Sequence, residues 1–76
     1  MKPVDVWESG SARRRLADVE AATNFLLIKW PTGFMDTRLH RATQVAAMDA
    51  MNGDIEPEHF RAAFEAAARE ADVLVD

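Results

Sequence analysis

Alternating apolar and polar residues at the start of the chain predict a β-hairpin. Residues 4–8 read Val-Asp-Val-Trp-Glu, which is the period-two pattern of a short strand. Residues 9–11, Ser-Gly-Ser, predict a turn, and residues 13–16 predict a second strand with a highly charged surface. Because a hairpin of this size is only marginally stable in water, we expect apolar helices to cover it.

The next apolar segment predicts a central helix. Asp18 is a good N-cap, and Glu20 follows in the first turn, where the helix dipole favours acidic side chains. The helix must end near Trp30, because Pro31 disfavours the α conformation of the residue before it. The predicted buried stripe consists of Val19, Ala22, Leu26 and Trp30, widened by Phe25 and Ile28.

A second helix follows a loop over residues 32–35. Asp36 or Thr37 caps it, and the pair Asn52-Gly53 favours a left-handed C-terminal end. The predicted inner positions are Leu39, Ala42, Val45, Ala46, Asp49 and Ala50, with Met48 and Met51 alongside.

The third helix has the clearest local signals. Glu56 is a plausible N-cap, Pro57 stands at the first helical position, and Ile55 can reach Phe60 as a hydrophobic staple. The predicted buried positions are Phe60, Ala63, Phe64, Ala67, Ala68 and Ala71.

Residues 73–75, Val-Leu-Val, form either a frayed tail or a third strand. We favour a strand that pairs with the hairpin, because three β-favouring apolar residues are costly to leave in water. The predicted fold class is therefore α+β, with an N-terminal β-hairpin, three α-helices and a short C-terminal strand that completes a small antiparallel sheet.

The chain has 76 residues, of which 49% are hydrophobic and 29% charged, a composition typical of a folded protein. We expect one domain over residues 1–76, because a chain this short rarely supports two cores. It has no cysteine, which excludes disulfides and thiolate chemistry. Dimerisation is a common remedy for the small core of such a domain, so we also expect self-association, as a homodimer.

The longest strongly apolar run, residues 25–28, is far shorter than the roughly twenty residues that a membrane span requires. The first residues lack the apolar run of a secretory signal, since Asp5 and Glu8 arrive early. We expect a cytoplasmic protein without membrane contact.

The order of these features resembles a known family. It is carried by residues 21–27, Ala-Ala-Thr-Asn-Phe-Leu-Leu, by Trp30-Pro31, by His-Arg-Ala at residues 40–42, and by Ala-Phe-Glu-Ala-Ala-Ala-Arg-Glu-Ala at residues 63–71. The chain resembles the alphaproteobacterial family of small uncharacterised proteins known as domain of unknown function 982. The resemblance implies a small bacterial cytoplasmic domain and brings no activity, cofactor or catalytic residues.

Two histidines are the main candidates for chemistry. Asp36 and His40 lie four residues apart near a helix start, but acid-base catalysis also needs a nucleophile and a pocket, such as one that gathers Asn24. Glu56 and His59 have a Glu-x-x-His spacing that di-iron proteins use, but only with further inward carboxylates. We therefore predict no enzyme, no catalytic or metal-ligating residues, and no cofactor.

Residues 13–15, Arg-Arg-Arg, are the densest basic feature. On a strand, Arg13 and Arg15 project from one face and are candidate nucleic-acid contacts through phosphate. An edge strand protected from aggregation by charge explains the same residues. The chain as a whole has a formal net charge of −4, which makes nucleic acid the less favoured partner.

The remaining candidates for a binding surface are Trp7, Trp30, Phe34, Met35, Met48 and Met51. Among them, Phe34 and Met35 are the candidate protein contacts, because they lie in a loop where burial is less assured. Residues 1–48 hold seven basic and five acidic side chains, whereas residues 49–76 hold two and eight, so the chain carries complementary charges. We predict a non-enzymatic interaction or regulatory module that contacts another protein or itself, with weak nucleic-acid binding through Arg13 and Arg15 as the alternative.

Overall fold

The computed structural model of the chain describes residues 1–75, with Ser9 described by its backbone alone. The chain begins with the predicted antiparallel hairpin, in which β1 (Val4–Ser9) pairs with β2 (Ala12–Leu16). Val4 lies opposite Leu16 in the ladder, and both side chains are buried. One face of the hairpin therefore packs against the core.

Three helices follow the hairpin. The first, α1 (Val19–Asn24), continues directly into one π-helical turn (Phe25–Lys29). A 3₁₀ turn (Thr32–Phe34) leads to α2 (Arg38–Met51), and a short loop leads to α3 (Pro57–Glu70). The predicted α+β class is confirmed. Among residues 1–75, no helix combines the length and the apolar character that crossing a membrane requires.

Local sequence signals set most helix boundaries. The Asp18 carboxylate caps α1 by accepting a backbone N–H three residues on, at 2.8 Å. Trp30 has an extended backbone, with ψ at 142°, and so ends the π-helical turn immediately before Pro31. Of the two predicted caps for α2, Thr37 has this role, since its hydroxyl accepts the N–H of His40 at 3.1 Å.

The π-helical turn corrects one predicted core position. Phe25 and Leu26 are buried as expected, whereas Ile28 is 73% exposed. Hydrogen bonds in a π-turn join residues five apart, so the α-helical spacing that placed Ile28 on the stripe does not hold there. Trp30 returns to the core instead, where its ring meets that of Phe25 edge to face with centroids 6.0 Å apart.

The buried face of α3 is the predicted one. Phe60, Phe64, Ala67, Ala68 and Ala71 are buried, and Ala63 is half-buried. The Phe64 ring lies 5.6 Å from the Trp30 ring and 5.9 Å from the Phe60 ring, measured between centroids. These aromatic contacts join α3 to the segment that ends the first helix, and the alanines let neighbouring elements approach closely.

The predicted inner face of α2 is wrong except at Ala46 and Ala50, which pack against the core. Its buried residues are His40, Thr43 and Ala47, which recur at helical spacing. Leu39 and Val45, both predicted inside, are 36% and 59% exposed. Of the other predicted positions, Ala42 is exposed, Ala46, Asp49 and Ala50 are half-buried, and Met48 and Met51 are 65% and 54% exposed.

Hydrogen bonds from two buried polar side chains explain this rotation. His40 Nε2 lies 3.2 Å from the carbonyl oxygen of Leu26, and His40 Nδ1 accepts the N–H of Asp36 at 3.1 Å. These partners assign the neutral imidazole with its proton on Nε2. The Thr43 hydroxyl lies 2.7 Å from a carbonyl oxygen of its own helix and 3.1 Å from the Ala63 carbonyl oxygen of α3.

Within the described residues 1–75, the predicted C-terminal strand is not seen, and the sheet has two strands. The N–H of Val73 donates to the Ala68 carbonyl and that of Asp72 to the Arg69 carbonyl, which is the Schellman ending of a helix. Val73 is therefore engaged in closing α3. Leu74 forms only an isolated antiparallel bridge to β1, supported by hydrogen bonds on either side of it, and residue 76 lies outside the described residues.

The N–H of Asp54 donates to the Asp49 carbonyl and that of Gly53 to the Ala50 carbonyl, so α2 also has a Schellman ending. The two endings give a matched pair of stability predictions. Gly53 after α2 and Asp72 after α3 both have left-handed backbones, with φ at 80° and 60°. Gly53→Ala should destabilise the protein by about 1 kcal/mol, because a Cβ is strained in that conformation. Asp72→Gly should stabilise it by up to about 1 kcal/mol. Urea denaturation of both variants checks the signs, and effects of the same sign would contradict this account.

The hydrogen bonds of His40 give a second prediction. His40→Phe keeps an aromatic ring but leaves the Leu26 carbonyl and the Asp36 N–H without this partner, which should cost about 2–4 kcal/mol. His59→Phe is the control, since His59 is exposed and should change stability by no more than about 0.5 kcal/mol. Equal stabilities for the two variants in urea denaturation would show that the His40 hydrogen bonds contribute nothing.

Candidate functional site

An apolar groove lies between the first helical segment and α2. Its volume is about 260 Å³, and it is walled by Leu27 on one side and by Met48 and Met51 on the other. These three side chains are 49%, 65% and 54% exposed. The full lining, called the α2 groove below, consists of Thr23, Leu27, Gln44, Ala47, Met48 and Met51.

The local fold explains why this groove is open. Phe25 and Leu26 fill the core from the π-helical turn, so Leu27 projects to the surface beside α2. On α2, the buried positions of His40 and Thr43 turn the methionines outward. The groove thus forms where the π-helical turn, which exposes Leu27, lies beside the face of α2 that exposes its methionines.

Sequence reasoning missed this groove. It counted Met48 and Met51 among the candidates for a binding surface but placed them beside the core, and it did not single out Leu27. The signal that was available is the composition of α2, in which apolar residues surround most of the helix, so they cannot all face one core. An excess of apolar positions on a surface helix indicates an exposed apolar patch.

The predicted protein contacts lie at a different place. Phe34 ends the 3₁₀ turn and Met35 follows it, and they are 38% and 41% exposed. Phe34 lines a second cavity together with Trp7 of the hairpin and Val73 of the C-terminal segment. The α2 groove does not include them, and their role in protein contact stays a prediction.

The arginine triplet faces carboxylates of the neighbouring strand. Arg15 Nε lies 3.1 Å from Asp5 Oδ1, and Arg13 Nη2 lies 3.6 Å from Asp5 Oδ2. Arg14 pairs with Glu8 at 3.2 Å. Arg13 also lies over the Trp7 ring, 5.8 Å from its centroid. The candidate nucleic-acid contacts Arg13 and Arg15 therefore share one carboxylate, which a phosphate would have to displace.

This shared carboxylate is electrostatically perturbed. The hydrogen bond from Arg15 lowers the pKa of Asp5 below its ordinary value of 3.8, against an opposing effect of burial, and the positive charges of Arg15 and Arg13 lower it further. The same hydrogen bond raises the pKa of the Arg15 guanidinium. The three side chains form one ion-pair cluster across the hairpin.

The structure does not bring the histidine candidates together with acid-base partners. Asp36 contacts His40 through its backbone N–H, while its carboxylate lies 3.8 Å from Arg41. Asn24 lies in another cavity, beside Ile28. Both nitrogens of His40 are occupied by backbone groups, so the ring has no free position for a substrate proton.

His59 and Glu56 line a shallow depression at the start of α3. Among residues 1–75, no group of three or more acidic, histidine or cysteine side chains is arranged to hold a metal ion.

The Asp5 cluster predicts a pH dependence of stability. Because the pKa of Asp5 is lower in the folded state than its ordinary value, ionised Asp5 stabilises the fold above pH 3.8, and this contribution is lost as the pH falls through the folded-state pKa. Asp5→Asn should therefore destabilise the protein at neutral pH and lose this effect in acid. Urea denaturation at neutral pH and at values below 3.8 checks it. Asp54→Asn, at an exposed carboxylate without an ion pair among the described residues, is the control.

Comparison with known proteins places this fold in a family. A model of the family described as "Protein of unknown function (DUF982)" matches residues 2–75. No curated protein and no solved structure matches the chain. The family model spans nearly the whole sequence and agrees with the resemblance carried by residues 21–27, Trp30-Pro31 and residues 63–71. The chain belongs to the DUF982 family of proteins of unknown function.

Proposed function

We propose that this protein is a non-enzymatic interaction module that binds another protein through the α2 groove. The observation that carries the proposal is the exposure of Leu27, Met48 and Met51 around one apolar depression. Burying a leucine or methionine side chain is worth about 1.5–3 kcal/mol relative to leaving it in water. A partner that fills the groove would recover this free energy.

The lining indicates the chemistry of the partner. Methionine is unbranched and polarisable, and it adapts to apolar groups of different shape. The polar side chains of the groove, Thr23 and Gln44, carry no charge. The ligand that suits this surface is a protein segment that presents leucine, isoleucine, methionine or phenylalanine side chains, such as one face of an amphipathic helix.

Phe34 and Met35 are a second candidate contact within the same proposal. They are less exposed than the methionines of α2, and Phe34 lines a cavity together with residues of the hairpin and the C-terminal segment. We therefore rank them below the groove as the principal contact.

Nucleic-acid binding through Arg13 and Arg15 stays a prediction. Such binding depends on several phosphate contacts, each of which releases counterions. Here both guanidinium groups already lie beside Asp5, and Arg14 lies beside Glu8. These ion pairs favour the charged-edge interpretation of the strand over a phosphate site.

Affinity capture from nuclease-treated lysate of the source cells tests the proposal, with Leu27→Asp as the key variant. Ile28→Asp is the matched control, because Ile28 is the next residue and is 73% exposed but lies outside the groove. We expect a stoichiometric protein that the wild-type chain and Ile28→Asp retain and Leu27→Asp loses. Circular dichroism checks that all three chains are equally helical.

Other outcomes assign the function differently. A partner that Phe34→Asp loses and Leu27→Asp keeps would move the contact to the 3₁₀ turn and overturn the groove as the principal contact. Material captured from untreated lysate that disappears on nuclease treatment and on the double change Arg13→Glu/Arg15→Glu would establish the nucleic-acid alternative. Absence of any partner at low salt would contradict the interaction module.

A further inference from the structure

The side of α2 that faces away from the core carries an ordered pattern of charges. Arg38 and Arg41 lie at its N-terminal end, Val45 at its middle and Asp49 near its C-terminal end. All of these residues are exposed except Asp49, which is half-buried. The surface called the outer face of α2 below consists of Arg38, Arg41, Ala42, Val45, Met48, Asp49 and Asn52.

These charges oppose the dipole of their own helix. The N-terminus of a helix carries partial positive charge and favours acidic residues, whereas the C-terminus favours basic ones. α2 has no acidic residue in its first turn and no basic residue in its last. In the part of the chain that the structure describes, the charge of Arg41 is paired with Asp36 alone, at 3.8 Å, and both side chains are mostly exposed. This order of charges therefore does not stabilise α2 as an isolated helix.

The same order is self-complementary when two copies of α2 meet antiparallel. Arg41, Val45 and Asp49 are spaced by four residues and form one ridge on the helix surface. In the commonest class of helix packing, ridges of this kind from two helices lie side by side, with the axes crossing at roughly 50°. When the ridge runs beside its own reversed copy, Arg41 of each chain lies next to Asp49 of the other.

We propose that the outer face of α2 binds the same face of a second copy of this chain, antiparallel, across a two-fold axis that passes near Val45. Ala42, Val45 and Met48 form the apolar centre of the contact, and two symmetry-related pairs of Arg41 with Asp49 flank it. The opposed helix dipoles add to the attraction, because each positive N-terminus approaches the partner's negative C-terminal half. The inference goes beyond the proposed function, because it places self-association on a face of α2 that shares only Met48 with the α2 groove.

Charge reversal tests the arrangement with little risk to the fold. Arg41→Asp places an acidic residue near the helix N-terminus, and Asp49→Arg places a basic one near the C-terminus, so each change favours the helix itself. Each also creates two like-charge contacts in the proposed homodimer. We expect sedimentation equilibrium of the purified chain to show a dimer that either change weakens roughly tenfold, while circular dichroism shows undiminished helicity.

Mixing the variants tests the antiparallel pairing. One Arg41→Asp chain and one Asp49→Arg chain would restore both opposite-charge contacts, so an equimolar mixture should dimerise as tightly as the wild type. The double variant Arg41→Asp/Asp49→Arg should do the same alone. Single variants that weaken association without rescue in the mixture or the double variant would overturn the antiparallel geometry. A wild-type chain that stays monomeric at high concentration would overturn the dimer.

The lack of native cysteine allows a second measurement. The axes of two helices in contact lie about 8–10 Å apart. Cα atoms that face each other near the two-fold axis therefore lie within the roughly 4.4–6.8 Å that a disulfide spans. Val45→Cys should therefore form a disulfide-linked dimer on mild oxidation. Ala66→Cys, at an exposed position of α3, should not. Equal cross-linking of the two variants would contradict the assigned axis.

The self-association measurements and the affinity capture distinguish a failure of the dimer from a failure of the proposed function. Self-association is measured on purified chain and depends on Arg41 and Asp49, whereas capture of another protein depends on Leu27. A monomeric chain that still captures a partner through Leu27 overturns only the dimer. A dimer rescued by exchanging the charges, together with no captured protein, overturns only the groove as a site for another protein.

Discussion

The rotation of α2 about its own axis is the constraint on which the surface of this protein depends. His40 and Thr43 hold that rotation through hydrogen bonds to the carbonyl oxygens of Leu26 and Ala63. Turning the helix to bury Val45 and Met48 would expose these polar groups or strand them in the core, at about 1–3 kcal/mol for each unsatisfied group. Satisfying the buried polar groups thus requires the apolar residues on the opposite side to face water.

The parts of the fold that follow from local chemistry were predictable from the sequence. The hairpin, the cap at Asp18, the stop before Pro31 and the ending at Gly53 each depend on residues close together in the chain. The rotation of α2 was not predictable, because the partners of its buried polar side chains come from other elements. The prediction of a C-terminal strand was wrong for a related reason. The N–H of Val73, which a strand would need, donates instead to the Ala68 carbonyl at the end of α3.

The candidate sites show the same division. Counting charges identified the arginine triplet but could not show that Asp5 lies between Arg13 and Arg15, because this contact depends on the strand register. The α2 groove escaped prediction because a π-helical turn and a rotated helix had to meet before Leu27 and Met48 became neighbours. The exposure of a loop residue such as Phe34 was easier to predict from sequence, because a loop is indicated by neighbouring residues such as Pro31 and Gly33. The exposure of a helix residue depends on which face of the helix packs against the core.

Natural sequences generally satisfy local preference and global fold together, and conflicts between them concentrate at functional surfaces. On α2 two such conflicts coincide. Apolar residues face solvent around Val45. Arg41 lies near the N-terminus and Asp49 near the C-terminus, where the helix dipole disfavours their charges. Either feature alone would be an ordinary imperfection of a surface helix. In the dimer that we propose, the reversed copy of the same face would cover these apolar residues and would place a residue of opposite charge beside Arg41 and beside Asp49. A single cause, self-association, would then account for both conflicts.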